Sequence, residues 1–339
     1  MKYLLPKVPR YFKTALHCHT NISDGTPSRE EMKEIYKTRG YQVLAITDHN
    51  VIADHSDMNE EDFLMLTGAE YNISEPIVWA ENRLWARSYH LNFIAKRADN
   101  LWQPFLPEKN FEMSQPYVDK ADVQERPRVY SVEAMNELIA EANERGFLVI
   151  YNHPGWSLHS YPEYAGLKGL WGMEISNNDC VPMIHMDGNN DRVYMDLMNL
   201  GNNVVPVAAD DAHVEAVVGG GWMMVGAEEL TYASVVSAME KGELYASTGP
   251  EIYELSIDEG KLHIKCSNAR YITLQGGTRS GRTIRPENGE FLQEATMDIS
   301  SWINLCLEKG DPRGWLRVVV HGEGDTYATT RGYRASELV

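Results

Sequence analysis

Two imidazoles lie two residues apart near the N-terminus of the chain, where His17 and His19 flank Cys18. In an extended segment successive side chains point to opposite faces, so both imidazoles would share one face and the thiol would take the other. Asp24 follows across a turn rich in Asn, Ser, Asp and Gly, which can return its carboxylate to the same place. Imidazole and carboxylate are ligands of divalent metal ions. Polar residues are common at strand ends, so the remaining chain decides whether this pair binds metal.

Further imidazoles and carboxylates recur at the ends of other predicted strands. A continuous apolar run over 41–47 predicts a buried strand, and His49 follows it. Predicted strands at 64–70, 89–95, 147–153 and 204–213 carry the same kinds of side chain. Functional groups of parallel sheets and barrels gather at one end of the strands. The candidate metal ligands are His17, His19, Asp24, His49, Glu70, His90, His153, Asp211 and His213.

These nine side chains exceed what one ion needs, so the sequence predicts two or three divalent ions. Imidazole mixed with carboxylate, without thiolate, favours Zn²⁺, Mn²⁺ or Fe²⁺ over metals that prefer soft ligands. Asp48 and Asp210 neighbour two of the candidates. On an extended strand they would point away, so we expect them to support ligands and not to coordinate.

Composition limits the class of partner. The 339-residue chain has a formal net charge of −18, which disfavours contact with a nucleic-acid duplex but not with a small phosphorylated substrate beside bound cations. Its four cysteines form no C-x-x-C pair and are expected to be reduced and buried. The N-terminus lacks a secretory pattern, and no apolar run approaches a membrane span. We therefore expect a cytoplasmic protein that does not bind membranes; the sequence does not predict its oligomeric state.

The first two thirds of the chain read as alternating strands and helices, an α/β pattern. A capping box from Ser28 to Glu31 predicts a helix that ends near Arg39. Ser131 is a predicted N-cap for a helix to about residue 145, and Thr231 for one to about residue 241. Residues 98–130 show no sustained period and read as an irregular insertion, either a lid over the site or a passive surface excursion.

The pattern of alternating strands and helices ends at about Gly249. Short alternating segments follow, separated by turns rich in Gly, Asn and Asp, and no long helix is evident. We predict two domains: residues 1–248 carry the candidate site, and residues 249–339 form a small all-β, sandwich-like domain whose role the sequence does not indicate.

The ordered motifs resemble those of the PHP (polymerase and histidinol phosphatase) family of metal-dependent phosphoesterases. The resemblance covers roughly residues 12–248 and is carried by His17-Cys-His19, Asp24, Thr47-Asp-His49-Asn, Gly68-Ala-Glu70, His90, Asn152-His153-Pro and Asp211-Ala-His213. It implies a distorted (β/α)7 barrel with a trinuclear metal centre at the C-terminal face of the strands.

The resemblance also implies an assignment of ligands. The first ion would take His17, His19, Glu70 and Asp211; the second Asp24, His49 and His213; and Glu70 would bridge to a third, completed by His90 and His153. In having an aspartate at position 24, the sequence resembles the nucleotide phosphoesterase and exonuclease branch of the family. The insertion over 98–130 looks shorter than the helical insertion of exonuclease-type members, so the substrate is not fixed.

The implied function is hydrolysis of a phosphomonoester or a short phosphodiester, nucleotide-like, by a metal-bound hydroxide. Paired cations polarise the phosphoryl oxygen, lower the pKa of a bound water and stabilise the leaving oxygen. Two alternatives share the same metal site: a non-catalytic, metal-stabilised module, and a hydrolase of a non-phosphate ester or an amide.

Five further residues are weaker candidates. His159 follows a predicted ligand closely and is a candidate general acid. Arg29, Arg87 and Arg192 are candidates for bidentate phosphate binding, with surface ion pairing as the alternative for each. Glu174 either supports a metal ligand or contacts the substrate.

Overall fold

The computed structural model describes residues 1–76, 85–107, 113–181, 186–286 and 289–339. In chain order the strands are β1 (Lys2–Tyr3), β2 (Arg10–Ala15), β3 (Val43–Ile46), β4 (Leu64–Ser74), β5 (Ser88–Ala95), β6 (Trp102–Gln103), β7 (Asp122–Val123), β8 (Phe147–Tyr151), β9 (Gly172–Asn177), β10 (Val205–Ala209), β11 (Trp222–Ala227), β12 (Leu244–Ser247), β13 (Ile252–Asp258), β14 (Lys261–Ala269), β15 (Tyr271–Gly276), β16 (Arg282–Ile284), β17 (Leu292–Asp298), β18 (Trp315–His321), β19 (Tyr327–Thr330) and β20 (Tyr333–Arg334).

The helices are α1 (Arg29–Thr38), α2 (Gln115–Val118), α3 (Val132–Glu144), α4 (Tyr161–Tyr164), α5 (Asp191–Asn199), α6 (Tyr232–Lys241) and α7 (Ser300–Lys309). The predicted caps of α1, α3 and α6 are present: Ser28, Ser131 and Thr231 each accept a hydrogen bond from the main chain of the first turn. Among the described residues, no helix is long and apolar enough to cross a membrane.

A large mixed sheet organises the first part of the chain, with seven strands in the order β10-β9-β8-β5-β4-β3-β2. Strand β5 runs antiparallel to both of its neighbours, β4 and β8. The expectation of a parallel sheet therefore needs correction at this strand. Antiparallel strands need no crossover helix, and the described parts of the connection between β4 and β5 contain none.

The two ends of this seven-strand path meet just beyond β2 and β10. The main-chain N–H of His19 donates to the carbonyl of Ala212 at 2.9 Å, and the N–H of Asp211 donates to the carbonyl of His17 at 3.2 Å. The contact is a single bridge at Cys18 and Ala212 and does not extend along the strands. Strand β11 pairs with β2 over residues 10–14 and occupies the edge that a closed barrel would offer to β10.

Helices and sheet enclose two apolar clusters in this part of the chain. Helix α1 buries Met32 and Tyr36 against Leu44 and Ile46 of β3, which is the face that its spacing predicts. Helices α3, α5 and α6 cover a larger cluster that reaches β4, β5, β8 and β9. Every residue of β3, β5 and β8 is buried. Strands β3 and β8 accordingly read as continuous apolar runs, whereas β5 carries the polar residues Ser88, His90 and Asn92 at alternate positions.

The predicted insertion at 98–130 is partly built into the body of the molecule. Trp102, Gln103 and Phe105 are buried, and the Gln103 side-chain oxygen accepts a hydrogen bond of 3.0 Å from the main chain of Ile52. This part is therefore not a passive surface excursion. Residues 108–112 of the insertion lie outside the described residues.

The C-terminal part is a β structure with its own apolar core. A four-stranded sheet, β1-β13-β14-β17, packs against β15 and β18 of the large sheet. Helix α7 was not predicted; Ile299 stands at its N-cap and gives no side-chain capping bond. Strand β12 pairs with β19, so the large sheet continues across the predicted boundary at 248/249. That residues 249–339 form a separate domain remains a prediction.

A buried arginine forms an ion pair between the two parts, and its contribution can be tested. Arg317 of β18 is 2% exposed and donates to Asp191 at 2.5 Å and to Gln275 at 2.7 Å. We expect Arg317→Met to lower the free energy of unfolding by about 1–3 kcal/mol, because it leaves these acceptors without their donor. The measurement is urea denaturation followed by circular dichroism.

Arg313→Met is the matched control, since Arg313 pairs with Asp311 on the surface. Its effect should stay within about 0.5 kcal/mol. Equal effects of the two substitutions would show that the buried pair does not help to join the two parts.

Candidate metal centre

The side chains after β2 alternate as predicted. The Cys18 thiol points away from the candidate ligands and donates to the carbonyl of Ala45 in β3 at 3.6 Å. His17 and His19 point the other way, and their Nε2 atoms lie 3.1 Å apart. Two imidazole nitrogens at this distance face one common point.

Carboxylates complete the surroundings of that point. Oδ1 of Asp211 lies 3.1 Å from Nε2 of both His17 and His19. Glu70 Oε1 lies 3.4 Å from Nε2 of His17, and Glu70 Oε2 lies 3.4 Å from Nε2 of His19. Ligand atoms of a tetrahedral site with metal–ligand distances of about 2.0–2.2 Å are separated by about 3.3–3.6 Å. Four buried donor groups therefore stand close to the spacing that a single divalent ion requires.

Asp211 Oδ1 provides a separate test of fit. The atom is buried, and no described residue gives it a hydrogen bond of good geometry. A buried carboxylate oxygen that accepts no well-aligned hydrogen bond is costly, and a cation between it and the two imidazoles would remove that cost. The donor chemistry and this oxygen both fit a divalent metal ion.

A second group of donors lies towards the solvent. Nε2 of His213 is 3.5 Å, and Nε2 of His49 is 3.7 Å, from the carboxylate of Asp24. The ring of His213 stacks on that of His19 with centroids 4.1 Å apart. The Asp24 side chain is 42% exposed, so this side of the centre is open to water and to a ligand.

A third group surrounds the other face of Glu70. Nδ1 of His90 lies 3.0 Å, and Nε2 of His153 lies 3.2 Å, from Oε1 of Glu70. His153 Nε2 also approaches Asp211 Oδ2 at 3.8 Å, and His49 Nδ1 lies 3.1 Å from Glu70 Oε2. His49 and His153 therefore each contact a carboxylate that the resemblance assigns to a different ion.

All nine predicted ligands come together in the structure. Donor atoms within 4.8 Å of one another form four overlapping groups: His19, Asp24, His49 and His213; His17, His153 and Asp211; His17, His19 and Glu70; and His49, Glu70 and His90. Glu70, at 1% exposure, belongs to two of them and lies between the others.

Three main-chain conformations near the ligands are unusual for residues with a side chain. Asn50, His153 and Asp211 have positive φ angles of 56°, 23° and 52°. Such angles are sparsely populated outside glycine and cost about 1–3 kcal/mol each. The strand predicted over 204–213 therefore ends early, at Ala209, and Asp211 and His213 reach the centre from the segment after it.

The two neighbouring aspartates hold loops, as the alternation predicts. Asp48 accepts hydrogen bonds from the main chain of Thr20 at 2.8 Å and from the hydroxyl of Ser23 at 2.7 Å. Asp210 accepts three main-chain N–H groups from residues 219–221 at 2.8–3.0 Å. These bonds fix the turns that carry Asp24 and Asp211.

The sequence predicted no role for two asparagines that contact the candidate ligands. Asn152 donates to Glu70 Oε1 at 2.7 Å, and Asn177 donates to Asp211 Oδ2 at 3.0 Å. Asn152 belongs to the Asn152-His153-Pro motif but received no role of its own, and Asn177 carries no local signal. Trp156 was also missed, and its ring packs edge-to-face against both His90 and His153 with centroids about 5 Å away.

Burial and opposite charges compete in this cluster. Burial disfavours the charged forms of Glu70 and Asp211, but the imidazoles outweigh it and hold the pKa of both carboxyl groups well below the usual value. Burial likewise opposes protonation of His19, but the same carboxylates raise its pKa to about 10. For His49 burial prevails and lowers the pKa to about 3. Protons on some imidazoles thus balance the carboxylates, a role that divalent cations can take over.

The candidate acid His159 is held by tyrosines. Its Nε2 lies 3.1 Å from the hydroxyl of Tyr130 and its Nδ1 lies 2.5 Å from that of Tyr151. Burial lowers its pKa to about 3. Both ring nitrogens are therefore engaged away from the nine candidate ligands, and the role of general acid remains a prediction.

The candidate phosphate-binding arginines are all in ion pairs. Arg29 contacts Asp57 at 2.7 Å, Arg87 contacts Glu75 at 2.5 Å, and Arg192 contacts Asp196 at 3.0 Å. These are the contacts of the ion-pairing alternative. Glu174 is fully buried and lies 2.6 Å from Nδ1 of His17, which is the contact of a carboxylate that supports a ligand.

Solved structures with a similar arrangement include proteins of several descriptions. A two-domain protein from Bacteroides vulgatus, described as containing a predicted PHP-like metal-dependent phosphoesterase, matches with 15% identity and a TM-score of 0.44 over 87% of this chain and 88% of its own. PsfC from Pseudomonas syringae matches with 13% identity and a TM-score of 0.41 over 68% and 87%. The lesion-specific endonuclease PfuEndoQ from Pyrococcus furiosus matches with 12% identity and a TM-score of 0.39 over 83% and 68%.

The PHP-like description in this group agrees with the resemblance drawn from the motifs. At these identities and TM-scores the likenesses do not establish an activity for this chain. No family model and no curated protein matches the sequence.

The position of Glu70 generates a prediction about metal content. Glu70→Gln removes a negative charge from the point that the donor groups share, so we expect it to lower the metal retained after dialysis by more than half. Glu163→Gln is the matched control, because Glu163 is also buried but bonds to Ser160 and Arg87 outside the cluster. Inductively coupled plasma mass spectrometry after Mn²⁺ or Zn²⁺ loading measures the result; equal metal in both variants would contradict a shared role for Glu70.

Proposed function

We propose that this protein is a metal-dependent phosphoesterase that uses two or three divalent ions. Its substrate would be a nucleotide-like phosphomonoester or short phosphodiester. The observation that carries the proposal is the position of Glu70, a buried carboxylate with donor groups on both of its oxygens. A carboxylate shared in this way favours adjacent cations, and adjacent cations suit phosphoryl transfer.

The finer assignment of ions belongs to the same proposal. His17, His19, Glu70 and Asp211 would hold one ion, and Asp24, His49 and His213 a second. Glu70, His90 and His153 would hold a third. The distances of 3.0 Å and 3.2 Å from Glu70 Oε1 to His90 Nδ1 and His153 Nε2 support that grouping. Zn²⁺, Mn²⁺ and Fe²⁺ all suit these donors.

We also propose that the seven strands from β2 to β10 form a distorted barrel of the PHP type. The main-chain bonds between residues 17–19 and 211–212 support it, because they join the two ends of the path at the edge that carries the ligands. The pairing of β2 with β11 makes the barrel incomplete along its length.

The chain itself would orient and expose the reacting groups. Bound divalent ions would supply Lewis acidity and a hydroxide nucleophile at neutral pH. The exposed side of Asp24, His49 and His213 is the side from which a phosphate can approach. His17, His19 and Glu70 are almost completely buried, so they hold the opposite side rigid.

The proposed partner is a small phosphorylated molecule and not a nucleic-acid duplex or a membrane. The net charge of −18 supports the first exclusion, since duplex binding depends on a basic face. We expect no saturable binding of a 20-base-pair duplex at physiological salt in fluorescence anisotropy. Nanomolar affinity for the duplex would contradict this.

A substrate panel separates the proposal from its alternatives. The full-length protein with added Mn²⁺ would be incubated with nucleotides, sugar phosphates, short oligonucleotides, a chromogenic phosphate ester, and matched carboxylic ester and amide substrates. Release of phosphate or of a nucleotide supports the proposal. Cleavage of only the ester or amide would favour the non-phosphate hydrolase, and a metal-loaded protein inert to the whole panel would favour the non-catalytic module.

Two substitutions test the division of roles within the centre. His153→Ala should keep most of the bound metal but lose about 10²–10³ in turnover, comparable to the loss of one electrostatic stabiliser. Glu70→Gln should lose both metal and turnover. Phosphate release is measured on the best substrate of the panel. A parental rate in His153→Ala would contradict the three-ion assignment and favour a two-ion site that does not include His90 and His153.

A further inference from the structure

Glu174 lies behind the candidate centre, on β9, and is fully buried. Its Oε1 is 2.6 Å from Nδ1 of His17, while Nε2 of the same ring faces His19 and Asp211 at 3.1 Å. We propose that Glu174 is a positioning residue that determines which nitrogen of His17 binds metal and that organises the group formed by His17, His153 and Asp211. This inference rests on the metal centre of the proposed function.

The first step concerns the tautomer of His17. An ionised carboxylate can only accept hydrogen bonds, so the ring must carry its proton on Nδ1. The lone pair of a neutral ring is then on Nε2, which is the nitrogen directed at the other candidate ligands. Metal-binding histidines commonly donate their second nitrogen to a carboxylate in this way, which fixes the tautomer and the ring orientation.

The second step concerns the other oxygen. Oε2 of Glu174 accepts the main-chain N–H of His153 at 2.9 Å and the side-chain amide of Asn177 at 3.0 Å. The same amide donates to Asp211 Oδ2 at 3.0 Å. One buried carboxylate therefore connects three candidate ligands, whose donor atoms lie within 4.8 Å of one another.

The His153 contact also holds an unusual turn. His153 has a φ angle of 23°, which a residue with a side chain rarely adopts. Its N–H is fixed by Glu174, and its own carbonyl accepts the N–H of Ser157 at 3.0 Å. These bonds direct the imidazole of His153 towards Glu70.

All three partners of Glu174 are donors, so the isosteric amide cannot replace it. A glutamine has one accepting oxygen and one donating nitrogen. If its nitrogen faces His17, the ring must accept there, and its proton moves to Nε2 where metal should bind. If its nitrogen faces the other way, it meets the donors of His153 and Asn177. Either orientation disturbs the group at nearly constant volume.

The test compares full-length Glu174→Gln and Glu174→Asp with the parental protein, with Glu163→Gln as the control. Zinc affinity is measured by competition with a chromogenic chelator. The His17 tautomer in the zinc-loaded protein is read from ¹⁵N shifts of ¹⁵N-histidine-labelled samples. Circular dichroism shows whether each variant is folded.

We expect Glu174→Gln to bind zinc about 10–100-fold more weakly, the usual effect of losing such a partner. His17 should have a protonated Nδ1 and a metal-bound Nε2 in the parental protein and should lose that pattern in Glu174→Gln. Glu163→Gln should match the parent. Glu174→Asp, which still only accepts, should keep the parental tautomer with a smaller loss of affinity.

Two results would overturn the proposal. One is parental zinc affinity and an unchanged His17 pattern in Glu174→Gln. The other, which applies even if Glu174→Gln fails to fold, is a folded Glu174→Asp that loses the parental tautomer. Neither measurement uses phosphate release, so a zinc-binding protein that hydrolyses no ester would refute the proposed function and leave this role of Glu174 standing.

Discussion

The structure depends on the burial of one carboxylate, Glu70, among imidazoles. Taking an ionised carboxylate out of water costs several kcal/mol unless positive charge surrounds it. Five histidines place a ring nitrogen 3.0–3.4 Å from its two oxygens: His17, His19, His49, His90 and His153. These rings cannot all be protonated at once, because neighbouring imidazolium ions repel one another and burial disfavours each charge. Divalent cations supply the same positive charge in less space, which is why this arrangement suits metal so well.

The main chain delivers these side chains by turns that ordinary strands do not contain. Positive φ angles at Asn50, His153 and Asp211 reorient the chain at three strand exits. The Asp210 carboxylate holds the loop over 219–221 through three main-chain N–H groups. Local strain is thus offset by hydrogen bonds to a loop 9–11 residues further along the chain. Strain of this kind is common at functional sites because the side chains must converge on one point.

The sequence could predict what depends on local pattern. The alternation of His17, Cys18 and His19, the capping box of α1 and the continuous apolar runs of β3 and β8 all follow from residues close together in the chain. The antiparallel direction of β5 and the pairing of β2 with β11 depend on contacts across the sheet, and no local period encodes them. Glu174 was recognised as a possible support for a ligand, but its partner could not be named. Asn177 was missed because an asparagine in a strand has no distinctive spacing.

The place where the two ends of the seven-strand path meet in a single bridge is also the place where the candidate ligands lie. Beyond β2, the segment with His17 and His19 bonds through its main chain to the segment with Asp211. Their side chains also come together, with Asp211 Oδ1 at 3.1 Å from Nε2 of both His17 and His19. An ion held there would link the first and last strands of the path by coordination where β11 prevents a longer hydrogen-bonded ladder. Anything that binds only the folded state stabilises it, so metal binding and closure of this sheet would reinforce each other. A bound ion would then join the two ends of the path as well as serve the proposed chemistry.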